Sequence, residues 1–177
     1  GSARDAWNED PVNLKLCEVA GVCKERGIPV LGVCYGHQLL GRALGGVVQR
    51  HARGLELGNT TVELTDAGKA SPLFAGMPDR FEVLSSHVDE VVQLPPGSEW
   101  LVRGEFSPHQ GFQWGNQIHG VQFHPETDPD VLRYIWSARR EIWRARVSFD
   151  LDDLLDRLRP TPLAGRILRN FVTEIVP

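Results

Sequence analysis

The chain has 177 residues, 41% hydrophobic and 24% charged, with a formal net charge of −4. That size and balance suit one globular domain over residues 1–177 with room for a real core. The mildly acidic charge offers no clustered basic surface for nucleic acid, and no apolar run approaches the roughly 20 residues of a membrane span.

The start, "GSARDAWNEDP", has no apolar leader segment. Three cysteines are an odd count and too few for a disulfide framework, so a reducing cytoplasm is the simplest compartment. From Asn13 to Lys24, Leu14, Cys17, Ala20 or Gly21, and Val22 form a broad apolar stripe. That pattern predicts an amphipathic helix closed by Gly27 as C-cap. Cys17 and Cys23 are then small, buried or half-buried helix residues. Their spacing fits no zinc pattern.

"IPVLGV" (28–33) is short, apolar and β-branched, which predicts a strand buried on both faces. "GHQLLGRALG" (36–45) predicts a helix starting immediately after Cys34. The middle of the chain reads as short strands at 59–65, 81–86, 89–94, 99–104, 111–115 and 118–123, separated by turn signals such as "DAGKASP" and "LPPGSE". "WGNQ" predicts a hairpin turn. After Pro129 the spacing of Val131, Leu132, Ile135, Trp136, Ile142 and Trp143 is helical, with Arg133, Arg139, Arg140, Arg144 and Arg146 assigned to a solvated face. "DLDDLLDRL" predicts a shorter helix, and Thr161 followed by Pro162 predicts the cap and first residue of a final one.

Gly32-Val33-Cys34-Tyr35-Gly36 has the form G-x-C-x-G between a buried strand and a helix. This is the layout of a nucleophile elbow with sulfur in place of a serine oxygen. A strained turn presents the thiol, the flanking glycines avoid collision, and the helix N-terminus lowers the thiol pKa and supplies free N–H groups to an oxyanion. A thiol nucleophile needs a base, and the base needs an orienting group. "HGVQFHPE" supplies both. Alternation puts Ile118, Gly120, Gln122 and His124 on one face and His119, Val121 and Phe123 on the other. His124 then stands at the C-terminal end of a strand, where open α/β sheets place their sites, and Glu126 can return to hold its imidazole. His119 and His124 face opposite ways, so they do not form a metal pair. Neither a metal nor another cofactor is called for.

"GVCYGHQLLGRALGG" and "GVQFHPE" resemble the two signature blocks of class I glutamine amidotransferases, a set that includes GMP-synthase-like amidotransferases and γ-glutamyl hydrolases and peptidases. "SSHVDEVVQLPPG" is similar to the S-H-x-D-x-V segment of that family, and "ILRNF" to its last helix. The resemblance covers nearly the whole chain apart from the helical stretch around residues 132–160. It implies a three-layer α/β fold, flavodoxin-like, with an open, mostly parallel sheet flanked by helices and an antiparallel β extension. It implies that Cys34 attacks the γ-carboxamide of glutamine or of a γ-glutamyl compound and forms a γ-glutamyl thioester. His124 would move the protons and Glu126 would hold His124. The backbone N–H of Tyr35 would be one oxyanion donor. Gln38 and His87 match substrate-pocket positions, with packing behind the site as the competing reading.

The resemblance also places the second oxyanion donor in a glycine-rich loop after an early strand. Gly1-Ser2 fall at that point, so Ser2 is the matching donor and the early strands of the family fold are missing from this sequence. Loss of those strands predicts exposed apolar edges. The implied partners are a glutamine or γ-glutamyl substrate, a separate synthase subunit to receive ammonia, and a second copy of the chain. The competing functions are a stand-alone γ-glutamyl peptide or polyamine hydrolase and a non-catalytic regulatory module that keeps the fold.

Overall fold

The computed structural model describes residues 4–177. Asp10 caps helix α1 (Pro11–Arg26), its carboxylate accepting from the N–H groups of Val12 and Asn13 at 2.9 and 3.0 Å, and Gly27 closes it at φ 65°. Strand β1 (Val30–Val33) leads into α2 (Tyr35–Ala43). Strands β2 (Val47–Arg50), β3 (Glu56–Leu64), β4 (Arg80–His87), β5 (Asp89–Gln93), β6 (Ser98–Gly104), β7 (His109–Trp114) and β8 (Ile118–Val121) follow, with the one-turn helix α3 (Asp66–Ala70) after β3. The last third is helical: α4 (Pro129–Ser137), α5 (Arg140–Arg144), α6 (Leu151–Asp156) and α7 (Gly165–Asn170).

Six strands form one mixed sheet in the order β1-β8-β7-β6-β3-β4, and β2 pairs with β5 in a two-stranded ribbon. The α/β class follows as the sequence implies. Among the described strands the parallel pairing is confined to β1 and β8, and every other pair is antiparallel. The hairpin at "WGNQ" is present, with Trp114 opposite Ile118 and Gly115 at φ 59°.

Several local expectations change. Helix α1 buries Asn13 and Ala20, while Leu14 and Val22 are exposed. The buried line of α1 is therefore set by contact with α2, not by its densest apolar stripe. β1 is an edge strand among the described residues, and Val30, Leu31 and Val33 are only half-buried. The long C-terminal pattern breaks at residues 138–139 into α4 and α5, leaving Val131, Ile135 and Ile142 exposed. Residues 161–164 form a turn, closed by the Ala164 N–H donating to the Thr161 carbonyl at 3.0 Å, so the final helix begins at Gly165 and not at Pro162.

The main core lies between the sheet and α7, where Val62, Leu73, Phe81, Val121, Phe123 and Ile167 meet. A second core carries the helical extension. Leu132 and Trp136 of α4 and Leu151 and Leu155 of α6 pack onto Leu55 just before β3, Leu57 of β3 and Leu84 of β4. Burying each large side chain there is worth about 1.5–3 kcal/mol. Arg133 closes this extension by donating to the Leu155 and Leu158 carbonyls, both at 2.9 Å, at the C-terminal end of α6. The extension is thereby fixed beside the C-terminal end of β4, next to Cys34.

Candidate active site

The parallel pair β1–β8 delivers two chain segments to the same end of the sheet. β1 ends at Val33, whose partner is Val121 of β8, and each strand runs on into a candidate catalytic residue. On the β1 side, Cys34 has φ 53° and ψ −103°, and it is the only described non-glycine residue with positive φ. That conformation is unfavourable for an L-residue, so the surroundings must impose it. One constraint is the Cys34 N–H donating to the Val121 carbonyl at 2.9 Å. Another is close packing of strand on helix. A Cβ on Gly32 would stand 2.6 Å from the Gly36 carbonyl group and 2.6 Å from Leu40 Cδ1. Gly32 is therefore required for the turn. At Gly36 a Cβ would meet nothing within 4 Å, so the expectation that both glycines avoid a collision holds for the first alone.

Tyr35 is the first residue of α2, and its N–H has no intrahelical acceptor. The thiol of Cys34 sits at this N-terminus, buried, 3.8 Å from the Ser86 carbonyl.

On the β8 side the alternation read from the sequence is realised. Ile118 packs with Ala20 and Leu40 on the α1–α2 face, and Gly120 lies against His37. His119, Val121 and Phe123 face the α7 side, with the His119 ring 6.3 Å from that of Phe171. Beyond β8, the His124 N–H donates to the Leu84 carbonyl at 2.8 Å, which fixes the backbone next to β4. His124 Nδ1 lies 2.7 Å from Glu126 Oε1, and the Cys34 thiol is near enough to act on its titration. Burial disfavours the charged imidazole, but hydrogen bonds to Cys34 and Glu126 and the negative charges of both outweigh it, raising the pKa to about 9. Burial likewise acts upward on the Glu126 carboxyl, yet the hydrogen bond and charge of His124 hold it below its ordinary value.

Gln38 and His87 border the same cavity as Cys34, and both side chains already have partners. Gln38 Nε2 donates to the Asp89 carbonyl at 2.7 Å and to Gln122 Oε1 at 3.1 Å. His87 Nδ1 lies 2.9 Å from the Asp89 carbonyl and Nε2 lies 2.6 Å from Glu56 Oε2, which also accepts from Gln110 Nε2 at 3.0 Å. Glu56, His87 and Gln110 are all buried, so they form a polar cluster beneath the cavity floor. Ser2 lies outside the described residues. His37 is fully buried, and burial takes its pKa down to about 3, which leaves a neutral ring tilted against Phe112 at 5.0 Å.

The cavity above Cys34 measures about 370 Å³. Asp5, Arg50 and Asp89 are among its lining residues, and the antiparallel register of β2 and β5 sets Arg50 opposite Asp89. Burial and the neighbouring Asp5 carboxylate raise the Asp89 pKa against the pull of Trp7, Arg50 and His87, and Asp89 Oδ1 is buried with no partner among the described residues. The helical extension contributes Trp136, Arg139, Trp143 and Arg146 to the lining. Trp136 Nε1 donates to Ser86 Oγ at 2.9 Å, tying this wall to the residue whose carbonyl meets the thiol. The helical spacing assigns these arginines to a solvated face, and Arg139, Arg144 and Arg146 are exposed, while Arg133 and Arg140 are half-buried. Arg140 and Arg144 pair with Asp152 of α6, and Arg139 and Arg146 border the cavity.

Comparison with known proteins gives the same setting. The family model "Glutamine amidotransferase class-I" matches residues 13–134. The chain is 34% identical over 134 residues to γ-glutamyl peptidase 5 of Arabidopsis thaliana, covering 75% of this chain and 53% of that one. It is 46% identical over 151 residues to the glutamine-hydrolysing GMP synthase of Thermomicrobium roseum, covering 85% of this chain and 22% of that protein. The chain thus spans about half or less of the length of these curated relatives. A glutamine amidotransferase structure from Thermotoga maritima superposes with a TM-score of 0.83 at 27% identity, over 99% of this chain and 75% of that one. One from Methylobacillus flagellatus shares the fold, with a TM-score of 0.84 at 21% identity over 99% of this chain and 74% of the other. The chain belongs to the class I glutamine amidotransferase family.

Proposed function

We propose that this protein hydrolyses a γ-glutamyl amide, glutamine itself or a γ-glutamyl compound, through a thioester on Cys34. The observation that carries the reading is the grouping of three residues. Cys34, at positive φ on a helix N-terminus, acts on the titration of His124, and His124 Nδ1 lies 2.7 Å from the Glu126 carboxylate. Cys34 passes its thiol proton to His124, whose imidazolium form is favoured by its interactions with Cys34 and Glu126. The thiolate attacks the γ-carbonyl carbon, and the tetrahedral oxyanion takes a hydrogen bond from the Tyr35 N–H. The imidazolium then gives its proton to the departing nitrogen, which leaves as ammonia or an amine. Neutral His124 next takes a proton from water, whose oxygen attacks the thioester. Glutamate leaves and the thiolate–imidazolium pair returns. Glu126 keeps the imidazole oriented throughout.

The charges lining the cavity support an amino-acid head. Asp89, with an unpartnered oxygen, and Asp5 suit an α-ammonium, and Arg50 beside them suits an α-carboxylate. Gln38 and His87 support this wall from behind, through their shared hold on the Asp89 carbonyl. A relative from Thermococcus kodakarensis, named as one subunit of a glutamine-hydrolysing GMP synthase, is 40% identical over 103 residues, covering 58% of this chain and 53% of that one. It supports a second reading in which ammonia passes to a synthase on another chain.

The test is alkylation by a glutamine-analogue diazoketone, read by peptide mass spectrometry. The expected result is an adduct on Cys34 that is absent from Cys34→Ala and suppressed by competing glutamine. No adduct under conditions that label a known glutaminase would overturn the reading. Activity on free glutamine that appears only with an added synthase would favour the second reading.

A further inference from the structure

We infer that Asn13 is a positioning residue for the substrate's α-ammonium: buried in α1, it ties residues 5–8 to Tyr35 and so holds the Asp5 carboxylate at the cavity beside the elbow. The inference rests on the proposed γ-glutamyl reading and concerns the head of that substrate.

Asn13 is fully buried near the start of α1, and its amide is engaged at both ends. Nδ2 donates to the Asp5 carbonyl at 2.9 Å and to the Asn8 carbonyl at 2.8 Å, and Oδ1 accepts from the Tyr35 hydroxyl. A buried amide costs stability unless it is paired in this way, and the other buried residue of α1 is the apolar Ala20. What explains a polar side chain at this place is therefore what it holds. Tyr35 follows Cys34 directly and opens α2, so one side chain joins residues 5–8 to the residue next to the nucleophile.

The other anchors of residues 5–8 lead to the same place. Arg42 of α2 donates to the Ala6 and Asn8 carbonyls at 3.0 and 2.6 Å. Ala6 is fully buried against Val48 of β2 and Val91 of β5, with Tyr35 packed on the same group. Those two strands carry Arg50 and Asp89.

Asp5 is held by its backbone and its side chain. Its carbonyl takes the Asn13 amide and the Asn8 N–H at 3.2 Å, and its carboxylate takes Asn8 Nδ2 at 3.3 Å. It borders the cavity together with Asp89, whose Oδ1 is buried with no partner among the described residues. The Asp5 charge pushes the Asp89 carboxyl up, so the two carboxylates stand close enough to repel. Repulsion acts to drive Asp5 away, and the Asn13 amide opposes it. An α-ammonium that reaches both carboxylates relieves the repulsion and is bound by it.

The measurement is calorimetric titration of L-glutamine, and of glutaramate, its analogue without the α-ammonium, into Cys34→Ala with and without Asn13→Leu. Glutamine should bind Cys34→Ala about tenfold or more tighter than glutaramate. Asn13→Leu should lower that ratio by about fivefold or more. In an Asp5→Asn background the same substitution should change the ratio by less than about twofold, because the route through Asp5 is already lost. Equal affinities in Cys34→Ala, a ratio that survives Asn13→Leu, or an undiminished effect of Asn13→Leu in the Asp5→Asn background would overturn the inference. If circular dichroism shows the Asn13→Leu variant unfolded, Tyr35→Phe replaces it. Removing the hydroxyl should lower the ratio by about threefold, and an unchanged ratio would overturn the inference. These titrations need no thiol, which separates the two claims. A glutamine preference that depends on Asn13, in a protein whose parent hydrolyses no γ-glutamyl amide, supports the role of Asn13 and counts against the proposed chemistry.

Discussion

Glu126 Oε1 lies 2.7 Å from His124 Nδ1, two residues away in sequence and across the turn made by Pro125. The carboxylate is more exposed than the imidazole, at 41% of its side-chain surface against 11%. It therefore tolerates a full charge while transmitting that charge to a ring that water scarcely reaches. This pair sets the proton position at the candidate site, because the nitrogen that faces Glu126 must carry a proton and the other is left for the thiol.

Replacing Glu126 by Gln keeps the shape and removes the charge. Loss of the carboxylate's hydrogen bond and charge should lower the His124 pKa from about 9 and cut kcat by ~10²-fold. NMR titration of the His124 ring and steady-state hydrolysis check the two effects together. An unchanged titration midpoint would leave Glu126 no orienting role.

The pH dependence follows from the sign of the His124 shift. Its pKa in the folded protein is raised from the ordinary 6.5 to about 9, so folding favours the imidazolium. The associated stability is fully present below about pH 6.5 and is lost as pH rises through about 9. Activity should fall through the same upper range, as the imidazolium that protonates the leaving nitrogen disappears. It should show no limb near 6.5. Rates of thioester formation between pH 5 and pH 10 test this, and a limb at the unperturbed histidine value would contradict it.

Gly32 and Gly36 should part company on substitution. Gly32→Ala drives a methyl to 2.6 Å from backbone atoms of Gly36. Backbone cannot move aside cheaply, so a loss of about 3 kcal/mol and a melting-temperature fall of ~6–12 °C are expected. Gly36→Ala meets open space and should melt within ~2 °C of the parent. Thermal unfolding of both proteins is the check.

His87→Ala should act on folding first. It leaves the buried Glu56 carboxylate with only Gln110 for a partner, which costs about 3–5 kcal/mol. Urea unfolding should show that loss, and the folded fraction should have a raised KM as the Asp89 wall loosens. A stable variant with raised KM would instead make His87 a direct substrate ligand.

Much of the site was legible because its chemistry is local. G-x-C-x-G and H-P-E each combine a turn signal with a reactive side chain, and strand alternation alone put His124 on the α2 side of β8. Less legible were contacts made by topology. β2 carries a weak strand signal because Val48 is its only buried residue, and its existence is what brings Arg50 to Asp89. Glu56 opens β3 between Leu55 and Leu57, and nothing local marks it as the partner of a histidine 31 residues away. The arginine pattern after Pro129 is ambiguous until α4 breaks from α5. Only then do Arg140 and Arg144 reach Asp152 while Arg139 and Arg146 border the cavity.

The central claim is that Cys34 carries the acyl group during turnover. Acid-quenched reaction of the wild-type chain with a γ-glutamyl substrate, followed by peptide mass spectrometry, tests it most directly. The expected result is a γ-glutamyl mass on the peptide containing Cys34, accumulating during turnover and absent from Cys34→Ala. Continued hydrolysis by Cys34→Ala, or acyl mass on any other residue, would contradict it.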